Sequence, residues 1–195
     1  SDDFRLLMGL IDGPQGGAGR RALENLLESG VDQTKQRVAL QLLARASGGE
    51  PALTQFKHEL DGLIDLDHPH PILEDLLLAR AQVSLTAKND TQAEQDARDL
   101  LAKFPGSQLK AQAYGVLTAS AWEQRRYRAA ADLATKARDE LAEGQHSQIR
   151  AQLGVLVAEA WFRARDFPNA ADAYTAVLRD VPAGMAPGDL MFQRV

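Results

Sequence analysis

Apolar residues recur along most of this chain at the three- and four-residue intervals that line one side of a helix, most clearly over 150–182. Leu153, Val157, Ala160, Trp161 and Ala164 fall on one helical stripe; Ala170, Ala173, Tyr174, Val177 and Leu178 fall on a second. Between them Arg165-Asp166-Phe167-Pro168 breaks the period, and Pro168 suits the first turn of a helix, where a missing N–H has no intrahelical partner to lose. Pro182 closes the second stripe. The stretch predicts two amphipathic helices joined by a tight turn.

Imperfect copies of this pattern fill the rest of the chain. A short apolar segment from Phe4 to Ile11 precedes the glycine-rich run 12–17, which cannot hold a helix; Ala22, Leu23, Leu26 and Leu27 then form a stripe ending at Gly30. Asp32 is placed to cap a helix running to Ala46, Ser47-Gly48-Gly49 to form a turn, and Pro51 to open a second helix carrying Ala52 and Phe56. After a loop at 66–71, a helix from about Ile72 to Ala87 leads through Lys88-Asn89-Asp90 into one with Ala93, Ala97 and Leu100. The next copy, 110–143, has Tyr114, Leu117 and Ala121 in its first helix, Tyr127 at the turn, and Ala130, Ala134 and Ala137 in its second. Ala52, Ala93, Ala130 and Ala170 stand 41, 37 and 40 residues apart. Two helix axes in a hairpin approach to roughly 8–10 Å, and the closest point admits only a small side chain.

In the 150–182 hairpin, Gly154, Val157, Ala158 and Trp161 occupy the first-helix slots, Ala170 and Tyr174 reproduce A-x3-F, and Pro182 supplies the terminal proline. The hairpin thereby resembles a tetratricopeptide repeat, a unit of about 34 residues. Its tryptophan and glycine slots depart from that signature. The resemblance implies an all-α fold, a right-handed superhelical solenoid of about five antiparallel hairpins in a single domain over 1–195. Eroded hairpins are expected at 3–30 and 32–66 and clearer ones at 72–107, 110–144 and 150–184, with a further helix starting in 185–195. The abrupt start at Ser1-Asp2-Asp3-Phe4 and the end soon after Pro187-Gly188-Asp189 read as those of a fragment of a longer protein.

Composition narrows the chemistry. Few aromatics among abundant Ala and Leu favour packed helices over a sheet, and a formal charge of −5 with both signs dispersed argues against a general nucleic-acid binder. With no cysteine there is no disulfide or thiolate chemistry, and no apolar run reaches the roughly 18–20 residues that span a bilayer. Asp65-Leu66-Asp67-His68-Pro69-His70 crowds carboxylates and imidazoles, but two histidines one residue apart and kinked by prolines match no closed tetrahedral metal spacing; it is read as an inter-repeat loop. The glycines at 13–19 before Arg20 and Arg21 lack the Gly-Lys-Ser/Thr ending of a phosphate loop and read as a turn or mobile connection. No nucleophile and base pairing stands out, so the chain is expected to be no enzyme and to carry neither cofactor nor metal. The run Arg125-Arg126-Tyr127-Arg128 interleaves an aromatic with cations, yet Tyr127 shares the turn slot of Phe167 and is expected to plug the hairpin.

Residues one step round from the core stripe of each first helix form an adjacent face. In the repeats this chain resembles, that face lines a concave groove for extended or helical peptides. The resemblance therefore implies a partner-binding strip of Leu78, Leu85, Trp122, Val155 and Phe162, with Gln82, Gln112, Gln152 and Glu159 as polar partners. The function expected is that of a scaffold or adaptor holding a protein or peptide within a larger bacterial protein. Phe104-Pro105-Gly106-Ser107 through Ala111 is similar to the F/Y-P-x-S-x-x-A joints of bacterial envelope repeat proteins, such as outer-membrane assembly lipoproteins, which leans the expected location toward the periplasm. Repeats of about 40 residues also occur as sensor domains of bacterial regulators and as accessory domains of enzymes, and those readings stand beside the scaffold.

Overall fold

The computed structural model of the chain describes residues 1–142 and 146–180. Pro182, the end of the 110–144 repeat at Glu143, and the helix expected after Pro187 lie outside the described residues. Ten α-helices and no strand occur among the described residues: α1 Asp2–Asp12, α2 Gly17–Ser29, α3 Gln33–Ala46, α4 Ala52–Leu63, α5 Leu73–Thr86, α6 Asp90–Lys103, α7 Lys110–Glu123, α8 Tyr127–Asp139, α9 Ser147–Arg163 and α10 Phe167–Asp180. They divide between two compact units, Ser1–Gln92 and Ala93–Val195.

In the first unit α1 packs on α2, α2 on α3 and α4 on α5, and α3 also meets α1, α4 and α5. Phe56, the large residue of the A-x3-F pair, is fully buried with Leu23, Leu26, Leu27, Leu43, Leu60 and Leu76. The expected caps are present. Asp32 Oδ1 accepts from the N–H groups of Thr34 and Lys35, satisfying two of the four donors a helix start leaves open, and Gly30 N–H returns to Leu26 O at the end of α2. The glycine-rich run is more ordered than the sequence suggests, since α2 already begins at Gly17 and buries Gly19 and Arg20. A Cβ on Gly19 would lie 2.4 Å from Gly13 O, so glycine is what lets the chain fold back this closely on α1.

In the second unit α7 packs on α8, α8 on α9 and α9 on α10. Of the four spaced alanines, Ala93, Ala130 and Ala170 are buried, whereas Ala52 of the first unit is half-buried. The Phe104 to Ala111 joint is fixed by Ser107, whose N–H reaches Phe104 O at 2.9 Å and whose Oγ accepts from Leu109 N–H at 3.0 Å.

One local structure occurs three times. The helices α5, α7 and α9 each end in a three-residue turn whose middle residue, Lys88, Arg125 or Arg165, has φ near +60°. Each turn closes with the same bond pair: Lys88 N–H to Leu85 O with Asn89 N–H to Ser84 O, Arg125 to Trp122 with Arg126 to Ala121, and Arg165 to Phe162 with Asp166 to Trp161. This double closure meets carbonyls that a helix end leaves unpaired, and the left-handed residue in it is usually glycine. A long side chain there costs about 1–2 kcal/mol, against about 0.5–1 kcal/mol of extra chain entropy for glycine. Arg125→Gly is therefore expected to raise stability by up to about 1 kcal/mol, a rise of a few degrees in thermal midpoint measured by circular dichroism.

Candidate functional site

The ends of α7 and α9 carry the same aromatic arrangement. Trp122 meets Tyr127 edge to face at 5.3 Å, and Phe162 meets Phe167 edge to face at 5.7 Å. Each pair joins the end of one helix to the start of the next across the left-handed turn. Arg163 brings the two ends together: its guanidinium lies 5.3 Å over the Trp122 ring and bonds Glu159 through two nitrogens at 3.1 Å. That bond to Glu159, with Tyr127 nearby, raises the already high pKa of Arg163 and keeps it cationic. The outer pair is open, Phe162 being 56% and Phe167 58% exposed, whereas Trp122 and Tyr127 are half-buried.

The residues of the expected strip fall into separate groups. Trp122, Glu159 and Phe162 gather at one end of the α7–α9 region. Gln112 and Gln152 are exposed but sit ten residues earlier on the same two helices, about 15 Å away along the axis. Leu78 and Val155 do not belong to any surface strip: they are only 6% and 8% exposed, and Val155 packs with Ala151 and Val177 of α10. The reason is that α5 and α9 bury residues on more than one side, Leu76, Leu77 and Leu78 in succession on α5, so the position next to the core stripe is core as well. Gln82 is exposed and Leu85 half-buried on α5 in the first unit. Trp161 is half-buried against Ala121, Ala130, Ala131 and Ala160.

A second constellation was not expected from the sequence. Glu94 of α6, nearly buried, receives Ser120 Oγ at 2.8 Å, Gln124 Nε2 at 3.1 Å, Arg98 at 2.6 Å and the guanidinium of Arg126. Burial opposes its charge, but the hydrogen bonds from Ser120 and Arg98 and the charges of Arg126 and Arg98 prevail, holding its pKa below the usual glutamate range. Arg126 occupies the position at which Asn89 and Asp166 accept a backbone N–H at the starts of α6 and α10. The start of α8 forgoes that cap, and the side chain instead ties it to α6.

The other motifs are absorbed by structure. Arg20 holds Glu59 through two bonds at 2.8 and 2.9 Å and Glu24 at 2.6 Å, joining α2 to α4. In the Asp65–His70 loop, Asp65 accepts from the N–H groups of Asp67 and His68 and pairs with the His68 ring, and His70 Nε2 meets Leu27 O at 2.9 Å. Among the described residues no group of three His, Cys, Asp or Glu side chains could hold a metal ion, and no helix is long and apolar enough to cross a membrane. No protein-family model, curated protein or solved structure matches this chain.

Proposed function

We propose that the chain is a helical-repeat scaffold of the tetratricopeptide type, non-catalytic, that holds a polypeptide partner against the first helices of its hairpins. The observation that carries this reading is recurrence with exposure. The same turn closes α5, α7 and α9, and the same aromatic pair stands at the ends of α7 and α9, the outer one open to solvent. Large exposed rings on a rigid helical frame are what an interface uses as anchors, because they bury much apolar area with few rotors to freeze. A right-handed superhelix with a concave binding face is the arrangement we assign to the hairpins. The Ser107 joint supports placing the chain within a larger bacterial envelope protein.

The test is capture by wild type and by Phe162→Ala side by side, with helical circular dichroism recorded for both. Phe162 is more than half exposed, so its truncation is expected to leave helicity unchanged and stability within about 0.5 kcal/mol of wild type while weakening partner retention at least about tenfold. Equal retention by the two proteins would contradict the reading.

A further inference from the structure

We propose that the partner's contacting segment is an acidic polypeptide, bound along the turn edge of the second unit by Arg125, Arg128 and Arg165 beside the exposed ring pair of Phe162 and Phe167. This rests on the scaffold reading and adds the chemistry of what is held. The whole chain carries a formal charge of −5, yet five arginines cluster at the two neighbouring turns: Arg125, Arg126, Arg128, Arg163 and Arg165. Two are neutralised from within the chain, Arg126 by Glu94 and Arg163 by Glu159. The other three are exposed and make no ion pair among the described residues. The acidic groups nearby are Glu123, which has contacts of its own, Asp166, whose carboxylate accepts Asn169 N–H, and the exposed Asp132, four residues along α8 from Arg128.

The backbone adds a second, independent observation. Arg125 and Arg165 sit at φ of 58° and 60°, where glycine is cheaper, and Lys88 occupies the matching position of the α5 turn. A cation at a helix C-terminus gains something from the helix dipole, which does not exceed the left-handed cost. A strained residue type kept at every such turn points to use of its side chain. Arg165 lies between Phe162 and Phe167 in sequence, so a carboxylate paired with it stands next to an apolar anchor.

A single-stranded nucleic acid fits this edge less well. Base stacking needs open ring faces set in a stack, and the Trp122 face is covered by Arg163 while the open Phe162 and Phe167 rings stand edge to face.

The experiment is fluorescence anisotropy with labelled short peptides of glutamate and phenylalanine, the same peptides with glutamine or lysine in place of glutamate, and an oligothymidylate of similar length. The variant is Arg125→Gly/Arg165→Gly, which removes both charges while relieving the backbone, and its helical circular dichroism recorded beside that of wild type separates a loss of binding from unfolding. Wild type is expected to bind the acidic peptide at least about tenfold tighter than the glutamine peptide at low salt, the double variant to lose most of that preference, and added salt to weaken it. Equal binding of acidic and glutamine peptides, or no change in the double variant, overturns the acidic class and leaves polypeptide binding through Phe162 standing. Tighter binding of the oligothymidylate overturns the inference in favour of nucleic acid. Failure of every peptide to bind overturns it together with the scaffold reading.

Discussion

Replacing Phe56 with alanine is expected to lower the unfolding free energy by about 3–5 kcal/mol, read as a fall in denaturant midpoint with little change in slope. The ring is fully buried in a core cluster drawn from α2, α3, α4 and α5, which a shift of one helix does not refill. The loss therefore combines the transfer of the ring to water with a cavity that persists. Phe4 supplies the contrast. It is 62% exposed on α1, and Phe4→Ala should change stability by no more than about 0.5 kcal/mol. A small loss for Phe56→Ala would mean that the first unit does not close around that ring.

The second large effect is expected at Glu94. Glu94→Ala leaves Ser120 Oγ buried without its acceptor and strips Arg126 and Arg98 of their common carboxylate. Removing one member of a fully buried ion pair costs about 3–5 kcal/mol, but both arginines are roughly half exposed, so the expected loss is about 1.5–3 kcal/mol. At the next junction the positions matching Glu94 and Ser120 are Ala131 and Ala160, buried together in one apolar cluster. The double variant Glu94→Ala/Ser120→Ala copies that solution and is expected to recover part of the loss, since no hydroxyl is then stranded. The pH dependence has a definite sign. Because folding holds the Glu94 pKa below the usual glutamate range, its contribution is present above that range and fades as pH falls through the lower folded-state pKa. The stability gap between wild type and Glu94→Gln, measured by denaturant titration, should accordingly narrow on acidification.

The helices themselves were legible because their apolar residues keep a helical period, and because small signals agree with it: Asp32 as a cap, Gly30 as an end, Pro51 and Pro168 at helix starts. Three things were not legible. The left-handed turns carry Lys88, Arg125 and Arg165 where a sequence reader looks for glycine, so no local residue signal marks them. Glu94 reads as an outward charge on a helical wheel, because the partners that make it an inward one lie 26 to 32 residues further along. Its signal was positional, a glutamate in the slot that Ala131 and Ala171 fill in later copies. The apolar period puts Leu78 and Val155 on a surface because it marks one buried side per helix, whereas α5 and α9 bury several. Trp122, Glu159 and Phe162 were reachable from the sequence, but Arg163, which bridges the two aromatic ends, was not, since its stacking on Trp122 is a contact between α7 and α9.

The most direct measurement of the central claim is amide hydrogen exchange of the chain alone and with its captured partner. A scaffold that binds through the aromatic ends of its first helices predicts slowed exchange in the last turns of α7 and α9, around Trp122 and Phe162, and through the turns at Arg125 and Arg165. Protection confined to other helices, such as α2 and α4, would contradict it.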